Sequence, residues 1–410
     1  MSTDVIGMLE QMAETGTAPD EGCSLFGVGY ATAFSRLKEV YLEGAFQKGR
    51  SAEKFVIGPF GSGKTHFLHH LVEISRELGC ATAVVALNRD IDCTQNLLIF
   101  QEIARSIRIP GQYRRGVSGL LEGCLDRVQC EFPDDPVKAK KLVEHWVEGI
   151  DQDNIFDARF ASIAKRALKA KLDGEMTHFE ALCRWLSGEV GDRTLAKELG
   201  TTPLAKSEHG RFGLSATLSL CQLVRRANFK GTVICFDEAE QGFSVDKRHF
   251  ERIQSALQSG INATSLLSKG AVLFVYAITP DVGERLEELP SLQQRLADPG
   301  PTRGFFDGNT YAPKIDLTRR GDPAKELQGI GSSLVSLLYV HFGSELQMPK
   351  AEVLARVARE AKDIAESDAA VSNRRTMAKR TAAMLMSLKT TGSLDFLAQH
   401  HEPQECEPEV

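Results

Sequence analysis

The sequence predicts an α/β fold in which helices cover both faces of a parallel β-sheet. Short apolar runs without polar alternation, over residues 53–57, 80–87, 231–236 and 271–278, are typical of buried parallel strands. Segments with apolar residues at three- and four-residue spacing separate these runs, as helices would. The 410 residues are 42% hydrophobic and 25% charged, which is ordinary for a globular chain.

Each helix is predicted from its apolar spacing and from the residues that end it. Gly16 and Pro19 end the first helix, and Pro110 ends the fourth. Residues 111–226 are mostly helical in pattern, and Thr279-Pro280-Asp281 indicates a turn. One further short strand is expected over 315–317. The predicted helices span 5–13, 30–47, 66–78, 92–107, 136–149, 157–172, 178–186, 246–260, 324–341, 350–366 and 373–388.

These elements divide the chain into three parts and a tail. An N-terminal helical segment, 1–50, precedes an α/β core, 51–318, which is interrupted by a helical insertion at about 111–226. Residues 319–400 form a C-terminal helical domain, either a lid or winged-helix-like. The acidic residues 401–410 are expected to be a flexible tail.

The composition excludes several classes of protein. A net charge of -6 excludes a globally basic nucleic-acid coat. No apolar run approaches the roughly 20 residues that span a bilayer, and the first residues lack a secretory signal. Nine cysteines without a C-x-x-C pair indicate reduced thiols rather than disulfides or a zinc ribbon. We therefore expect a cytoplasmic protein without a membrane partner.

A phosphate-binding loop lies between the first predicted strand and the helix after it. Its eight residues match the pattern G-x-x-x-x-G-K-[ST], known as Walker A, and the strand and helix on either side support the match. Glycines let successive amides face phosphate oxygens, Lys64 adds a charge, and Thr65 offers a hydroxyl to Mg²⁺. The expected ATP-binding residues are Gly58, Pro59, Phe60, Gly61, Ser62, Gly63, Lys64, Thr65 and His66.

Two carboxylates end the strand at 231–236 and resemble a Walker B motif. Asp237 is expected to hold Mg²⁺ together with Thr65, and Glu238 to act as the general base that polarises the attacking water. The alternative is that the acidic pair caps the next turn. Beside a full phosphate loop, the pair favours ATP hydrolysis over nucleotide storage and argues against a small kinase.

Further candidates follow the next strand, in an order that resembles AAA+ ATPases. In that class this strand lies between the Walker A and Walker B strands and ends in a polar sensor, here Thr279. An arginine beyond it completes the site, often across a subunit interface, which would need a homo-oligomer. Arg295 is favoured over Arg285 and Arg303, because Leu292–Leu296 resembles the arginine motif of initiator-type AAA+ proteins. Each of these residues has a structural alternative, a turn-opening threonine or a solvated helix arginine.

A basic stretch opens the last predicted helix. Residues 371–394 contain five basic and no acidic residues. Asn373-Arg374-Arg375 partly resembles the start of the lid helix in initiator-like ATPases, with Arg375 as the residue that senses nucleotide. The same charge would suit a DNA backbone, through Arg374, Arg375, Lys379 and Arg380. A solvated helix face is the third alternative.

Four elements together resemble the ATP-binding proteins of bacterial BREX phage-defence loci, distant relatives of initiator-like AAA+ ATPases. They are Leu9–Pro19, the phosphate loop within Phe55–Leu68, Trp185–Glu189, and Asn228–Gly231 leading into the Walker B strand. The resemblance implies a P-loop ATPase that uses ATP and Mg²⁺ beside a helicase, methylase or nuclease. It also makes the 111–226 insertion a partner or nucleic-acid interface.

Two functions from different classes remain open at this point. The first is an Mg²⁺-dependent, AAA+-like ATPase that couples ATP binding and hydrolysis to action on DNA, or on a DNA-acting partner. The second is an ATP-binding scaffold or signalling module that does not touch DNA. A salt-dependent DNA-binding measurement separates them.

Overall fold

The chain forms two compact units, each assembled from separate stretches of sequence. The computed structural model describes residues 4–87, 95–151, 155–239, 270–288, 293, 304–318, 322–367 and 373–394. The first unit consists of Met1–Ala31, Pro59–His70 and Leu317–Val410, and the second of Thr32–Gly58 and Leu71–Asp316. No helix within the described ranges is both long and apolar enough to cross a membrane.

The second unit is built on a five-stranded parallel sheet, which confirms the predicted fold class. Its strands are β1 (Ala52–Ile57), β2 (Ala81–Ala86), β3 (Thr232–Asp237), β4 (Val272–Ile278) and β5 (Lys314–Asp316). Their order across the sheet is β2-β3-β4-β1-β5, and each pairing is parallel. All six residues of β3 are buried, and the four central ones are apolar, as expected for a strand covered on both faces.

Helices surround this sheet and share its hydrophobic core. Among the described residues, the helices wholly within the second unit are α4 (Asn96–Ser106), α5 (Gly116–Gln129), α6 (Pro136–Glu148), α7 (Ala158–Leu172), α8 (Met176–Leu186), α9 (Arg193–Glu198), α10 (His209–Arg226) and α11 (Pro280–Glu287). Aspartates 135, 157 and 192 cap α6, α7 and α9, since their carboxylates accept amides of the first turn. One core cluster joins strand residues to α4 and to the helices of 111–226, including Phe236, Phe274, Phe100, Trp146 and Phe212.

The first unit is helical and has its own core. It contains α1 (Val5–Thr15), a 3₁₀ turn (Cys23–Leu25), α12 (Pro323–Phe342), α13 (Lys350–Glu366) and α14 (Asn373–Thr391). Leu9 and Met12 of α1 share this core with Leu334 of α12, Val357 of α13 and Leu385 of α14. The first and last described helices of the chain therefore pack in one apolar cluster.

Two helices span the boundaries between the stretches. α2 (Ala31–Arg36) continues as a π-helix over Leu37–Ala45, where the sequence predicts one α-helix. α3 (Lys64–Glu77) begins inside the phosphate loop, two residues earlier than expected.

The predicted helices and strands that fall on described residues coincide with elements of the structure to within a few residues. At Thr279-Pro280-Asp281 the chain enters a helix directly: Pro280 starts α11, where a first-turn N–H would have no partner inside the helix. The mostly helical pattern of 111–226 is confirmed by α5 to α10. The helix predicted over 246–260 lies outside the described residues.

A close approach between α4 and α10 depends on a glycine. A Cβ at Gly213 would lie 2.3 Å from the carbonyl carbon of Asn96 and 2.4 Å from the Leu97 nitrogen. Atoms at such distances overlap, so any larger residue would push the two helices apart.

The substitution Gly213→Ala should lower the free energy of unfolding by about 1–3 kcal/mol, because α4 must move away from α10. Gly210→Ala in the same helix is the matched control, since its Cβ meets nothing within 4 Å. It should be neutral or stabilise by up to about 1 kcal/mol, because alanine favours helix. Denaturant unfolding followed by circular dichroism measures both, and equal effects would contradict the assigned packing.

Candidate nucleotide-binding site

The predicted phosphate loop turns through two glycines in the left-handed region of backbone space. Gly61 has a φ of 76° and Gly63 a φ of 90°, which residues with a Cβ rarely adopt. The Ser62 amide donates to the Pro59 carbonyl at 3.2 Å and closes the turn. Because α3 begins at Lys64, the amides of its first turn, which lack partners inside the helix, adjoin the loop. Loop and helix start together can present N–H donors to an anion.

Lys64 is held close to the loop. Its side chain is buried, and its Nζ lies 3.4 Å from the Pro59 carbonyl oxygen. The same ammonium lies 5.2 Å from the ring centroid of Phe60, which is itself 62% exposed. A cation over an aromatic ring is stabilised by the ring quadrupole. The charge of Lys64 is therefore concentrated at the loop.

These residues fit a polyphosphate. No acidic residue occurs from Gly58 to His70, so the loop offers donors and a cation without a repelling carboxylate. The Ser62 hydroxyl is buried and has no hydrogen-bond partner among the described residues. The loop is also closely packed, because a Cβ at Gly63 would lie 3.2 Å from the Tyr30 hydroxyl oxygen and 3.4 Å from Arg374 Nη1.

Tyr30, Glu326 and Arg374 support this loop, a role that the sequence did not reveal. The Ser62 carbonyl accepts hydrogen bonds from Arg374 Nη1 at 2.6 Å and from the Tyr30 hydroxyl at 3.1 Å. The guanidinium also lies over the Tyr30 ring, 5.1 Å from its centroid, and its Nη2 donates to Glu326. Burial lowers the pKa of Arg374 to about 10. The sequence showed only two adjacent basic residues, Arg374 and Arg375. In the structure, Arg374 is the one that contacts the loop.

His66 is enclosed by neighbours of the same unit. Its ring lies 4.7 Å from that of Phe26, and a Cβ at Gly27 would come within 3.1 Å of it. Burial, with the nearby His70, lowers the pKa of His66 to about 3. Its Nε2 is buried without a hydrogen-bond partner among the residues described. The neutral ring therefore packs against Phe26, and a charged ring would be poorly solvated there.

In the second unit, the carboxyl ends of β1, β3 and β4 lie at one edge of the sheet. Ile57 pairs with Ile278, and the Gly58 amide donates to the Ile278 carbonyl at 3.1 Å. Phe236 pairs with Tyr276, so that Asp237 and Glu238 follow at the same edge. The Leu87 amide donates to the Asp237 carbonyl at 2.9 Å. In open parallel sheets this edge is where ligands bind.

The predicted Walker B carboxylates differ in environment. Asp237 is buried, and its Oδ1 accepts the amide of Glu238 at 2.9 Å. Glu238 is exposed and has a φ of 53°, a conformation that costs a non-glycine residue about 1–2 kcal/mol. Such strain is often found at functional sites. The local amide bond fits the capping alternative for Asp237, whereas the strained, exposed Glu238 is not explained by capping.

The sensor and arginine candidates are only partly described. Thr279 is buried at the start of α11, and its side chain does not cap that helix. A purely turn-forming role therefore leaves its hydroxyl unexplained. Arg285 lies on α11 and is half-buried. Arg295 and Arg303 lie outside the described residues.

The basic residues of α14 separate into paired and exposed groups. Arg374 bonds Glu326, Arg380 lies 3.3 Å from Glu360, and Lys389 pairs with Glu345. Arg375 and Lys379 are exposed. Together with Arg356 and Arg380 they line a cavity of about 400 Å³ in the first unit. The stretch of five positive charges is thus partly neutralised by carboxylates of α12, α13 and the segment after α12.

The expected magnesium ligands lie on separate elements. Thr65 is half-buried in the first turn of α3, and Asp237 ends β3. Within the described ranges, no group of three or more His, Cys, Asp or Glu side chains is placed to hold a metal. Mg²⁺ usually takes only one or two protein ligands beside phosphate oxygens and water, so a larger cluster of side chains is not required.

Comparison with known proteins places almost the whole chain in one family model. The model described as "BREX system ATP-binding protein BrxC/D" matches residues 2–399. No curated protein and no solved structure shows a significant match. The match covers both units, including the phosphate loop and α14.

Replacing His66 should change how stability depends on pH. Because the folded pKa lies below that of the unfolded chain, the unfolded state binds more protons as pH falls from about 6.5 towards 3. The wild-type free energy of unfolding should therefore fall relative to that of His66→Gln over this window, by up to about 1.4 kcal/mol per pH unit. His145→Gln, at an exposed position of α6, is the control. Parallel pH curves for wild type and His66→Gln would refute this.

Proposed function

Because this chain belongs to the family of BREX system ATP-binding proteins, we propose that it is an Mg²⁺-dependent, AAA+-like ATPase of bacterial antiphage defence. In this proposal, ATP binding and hydrolysis drive action on DNA or on a DNA-acting partner such as a helicase or nuclease. The observation that carries the proposal is the glycine-turned loop with Lys64, which follows β1, together with a strained Glu238 that follows β3 at the carboxyl edge of the sheet.

The residues of the loop would bind the nucleotide phosphates. The amides within residues 60–66 that have no partner in the loop itself, together with the Lys64 ammonium, hold the β- and γ-phosphates. Thr65 and Asp237 hold Mg²⁺, which when bound neutralises phosphate charge. Glu238 takes a proton from water as the water oxygen bonds to the γ-phosphorus, while the bond to the β-phosphate oxygen breaks and ADP leaves.

Several observations support the AAA+-like assignment. β4 lies between β1 and β3, which is the position expected for a sensor strand. Thr279 follows β4 at the N-cap of α11, and its side chain makes no capping hydrogen bond to that helix. We propose it as the sensor that contacts the γ-phosphate or its water. We propose Arg295 as the arginine that completes the site, in trans if copies associate. Residues 319–400 would serve as the lid.

For contact with DNA, the proposal relies on the exposed part of the basic stretch. Arg375 and Lys379 are the exposed candidates that the structure leaves without a carboxylate partner among the described residues, and Arg380 is shared with Glu360. The cavity that they line is bordered by four basic side chains and one carboxylate, that of Glu360, so its net charge is positive and attracts a phosphate backbone. Seven free thiols in the described ranges fit a cytoplasmic location.

A second candidate, an ATP-binding scaffold that does not touch DNA, is favoured by the ion pairs of α14. Three of the five basic side chains in this stretch bind carboxylates within their own unit. A cation already paired gains less from a DNA phosphate. The two candidates differ in what Arg375 and Lys379 do, not in the ATP site.

Glu238→Gln should bind ATP with near wild-type affinity and lose turnover by about 100-fold or more, because the general base is gone. Lys64→Ala should instead weaken ATP binding by about tenfold or more, since it removes a charge-assisted interaction with the phosphates. Equilibrium ATP binding and steady-state phosphate release measure the two effects. Glu198→Gln, at an exposed position of α9, is the control. Wild-type turnover by Glu238→Gln would remove it as the base.

The double variant Arg375→Gln with Lys379→Gln should weaken duplex DNA binding and reduce the slope of log affinity against log salt by about 2, one for each phosphate interaction that the variant removes. The matched control is Arg359→Gln with Lys362→Gln, which removes two exposed charges from α13. Fluorescence anisotropy at several salt concentrations is the measurement. If the wild-type protein binds no DNA at low salt, the scaffold is the better proposal.

A further inference from the structure

One backbone carbonyl of the phosphate loop is held by two side chains. The Ser62 carbonyl oxygen lies 2.6 Å from Arg374 Nη1 and 3.1 Å from the Tyr30 hydroxyl. Both donors approach from the first unit, to which the loop belongs. Two hydrogen bonds, one of them charge-assisted, leave this carbonyl little freedom to rotate.

The orientation of that carbonyl decides where the next amide points. In a trans peptide the C=O of Ser62 and the N–H of Gly63 lie on opposite sides of one rigid plane. When the carbonyl faces Arg374, the Gly63 N–H faces the other way. A flipped peptide would instead direct an oxygen, with its partial negative charge, at a bound phosphate. Gly63, with a φ of 90°, has the backbone freedom to allow such a flip.

Arg374 is itself fixed by a second partner. Its Nη2 donates to Glu326, in the first turn of α12, and both side chains are largely buried, with 14% and 17% exposure. A buried cation needs a charged or hydrogen-bonding partner, so separating the guanidinium from Glu326 would cost free energy. The planar fork of arginine reaches both partners at once, and a lysine ammonium would not reproduce this geometry.

We infer that Arg374 is a positioning residue for the phosphate loop. By holding the Ser62 carbonyl, it directs the Gly63 N–H at the bound phosphate. Through its bond to Glu326, it links phosphate binding in the loop to α12. This inference rests on the proposed ATP site. It assigns the link between loop and C-terminal helices to Arg374, whereas the sequence pattern favoured Arg375 as the residue that responds to nucleotide.

The test compares Arg374→Gln and Arg374→Lys with Arg359→Gln, which makes the same charge change at an exposed position of α13. Arg374→Gln should bind ATP about tenfold more weakly or worse, and Arg374→Lys should not restore wild-type affinity, because it cannot bridge both partners. Arg359→Gln should match the wild type. Affinity is measured by equilibrium binding of a fluorescent ATP analogue.

A second readout separates positioning from a general loss of structure. At saturating ATP, hydrogen exchange of the amides around Glu326 in α12 should slow in the wild type and in Arg359→Gln, but not in Arg374→Gln. Wild-type affinity together with wild-type ATP-dependent protection in Arg374→Gln would overturn the inference. Failure of the wild type itself to bind ATP would instead overturn the proposed function.

If Arg374→Gln does not fold, Tyr30→Phe tests the same carbonyl. This variant removes only the hydroxyl that donates to Ser62 and keeps the ring beside Arg374. Loss of one neutral hydrogen bond should weaken ATP binding about threefold to tenfold. Unchanged affinity in a folded Tyr30→Phe protein would count against control of the loop through this carbonyl.

Discussion

A peptide group cannot turn both its carbonyl and its N–H towards one anion, and this constraint organises the phosphate loop. The loop can offer amides to phosphate only if its carbonyls are occupied elsewhere. In this chain the Ser62 carbonyl is occupied by Tyr30 and Arg374, and Pro59 receives the Ser62 amide. Tyr30 and Arg374 both belong to the compact unit that contains the loop, so the loop geometry depends on distant parts of the sequence.

Within the second unit, strand register brings Asp237 and Glu238 to the carboxyl edge of the sheet. Parallel pairing brings the ends of β1, β3 and β4 to one edge, although the insertion separates β2 from β3 by a long stretch of chain. Helices α5 to α10 are not an appendage to this sheet, because their apolar residues belong to the same core cluster. The position of Asp237 and Glu238 therefore depends on packing within the insertion as well as on their own strand.

Local chemistry made the loop, the strands and most helices predictable from the sequence. The long-range contacts were not predictable. The glycines, Lys64 and their flanking elements are contiguous, so their meaning is visible in the sequence. Arg374 contacts a residue 312 positions away, and only the phase of α14 distinguishes it from the exposed Arg375. The sequence did not predict α10 as a single helix, because buried hydroxyl-bearing residues interrupt its apolar pattern. Thr217 and Ser219 satisfy themselves by donating to carbonyls one turn earlier.

The pairing of α1 with α14 in one core has a consequence for biosynthesis. The apolar face of α1 is synthesised some 360 residues before its partner helix α14. At typical translation rates of about 5–20 residues per second, the apolar face of α1 stays without its partner helix for about 20–70 seconds. During this interval the nascent chain carries an exposed hydrophobic helix, which chaperones can bind. The phosphate loop reaches its supported form only after Arg374 of α14 has emerged.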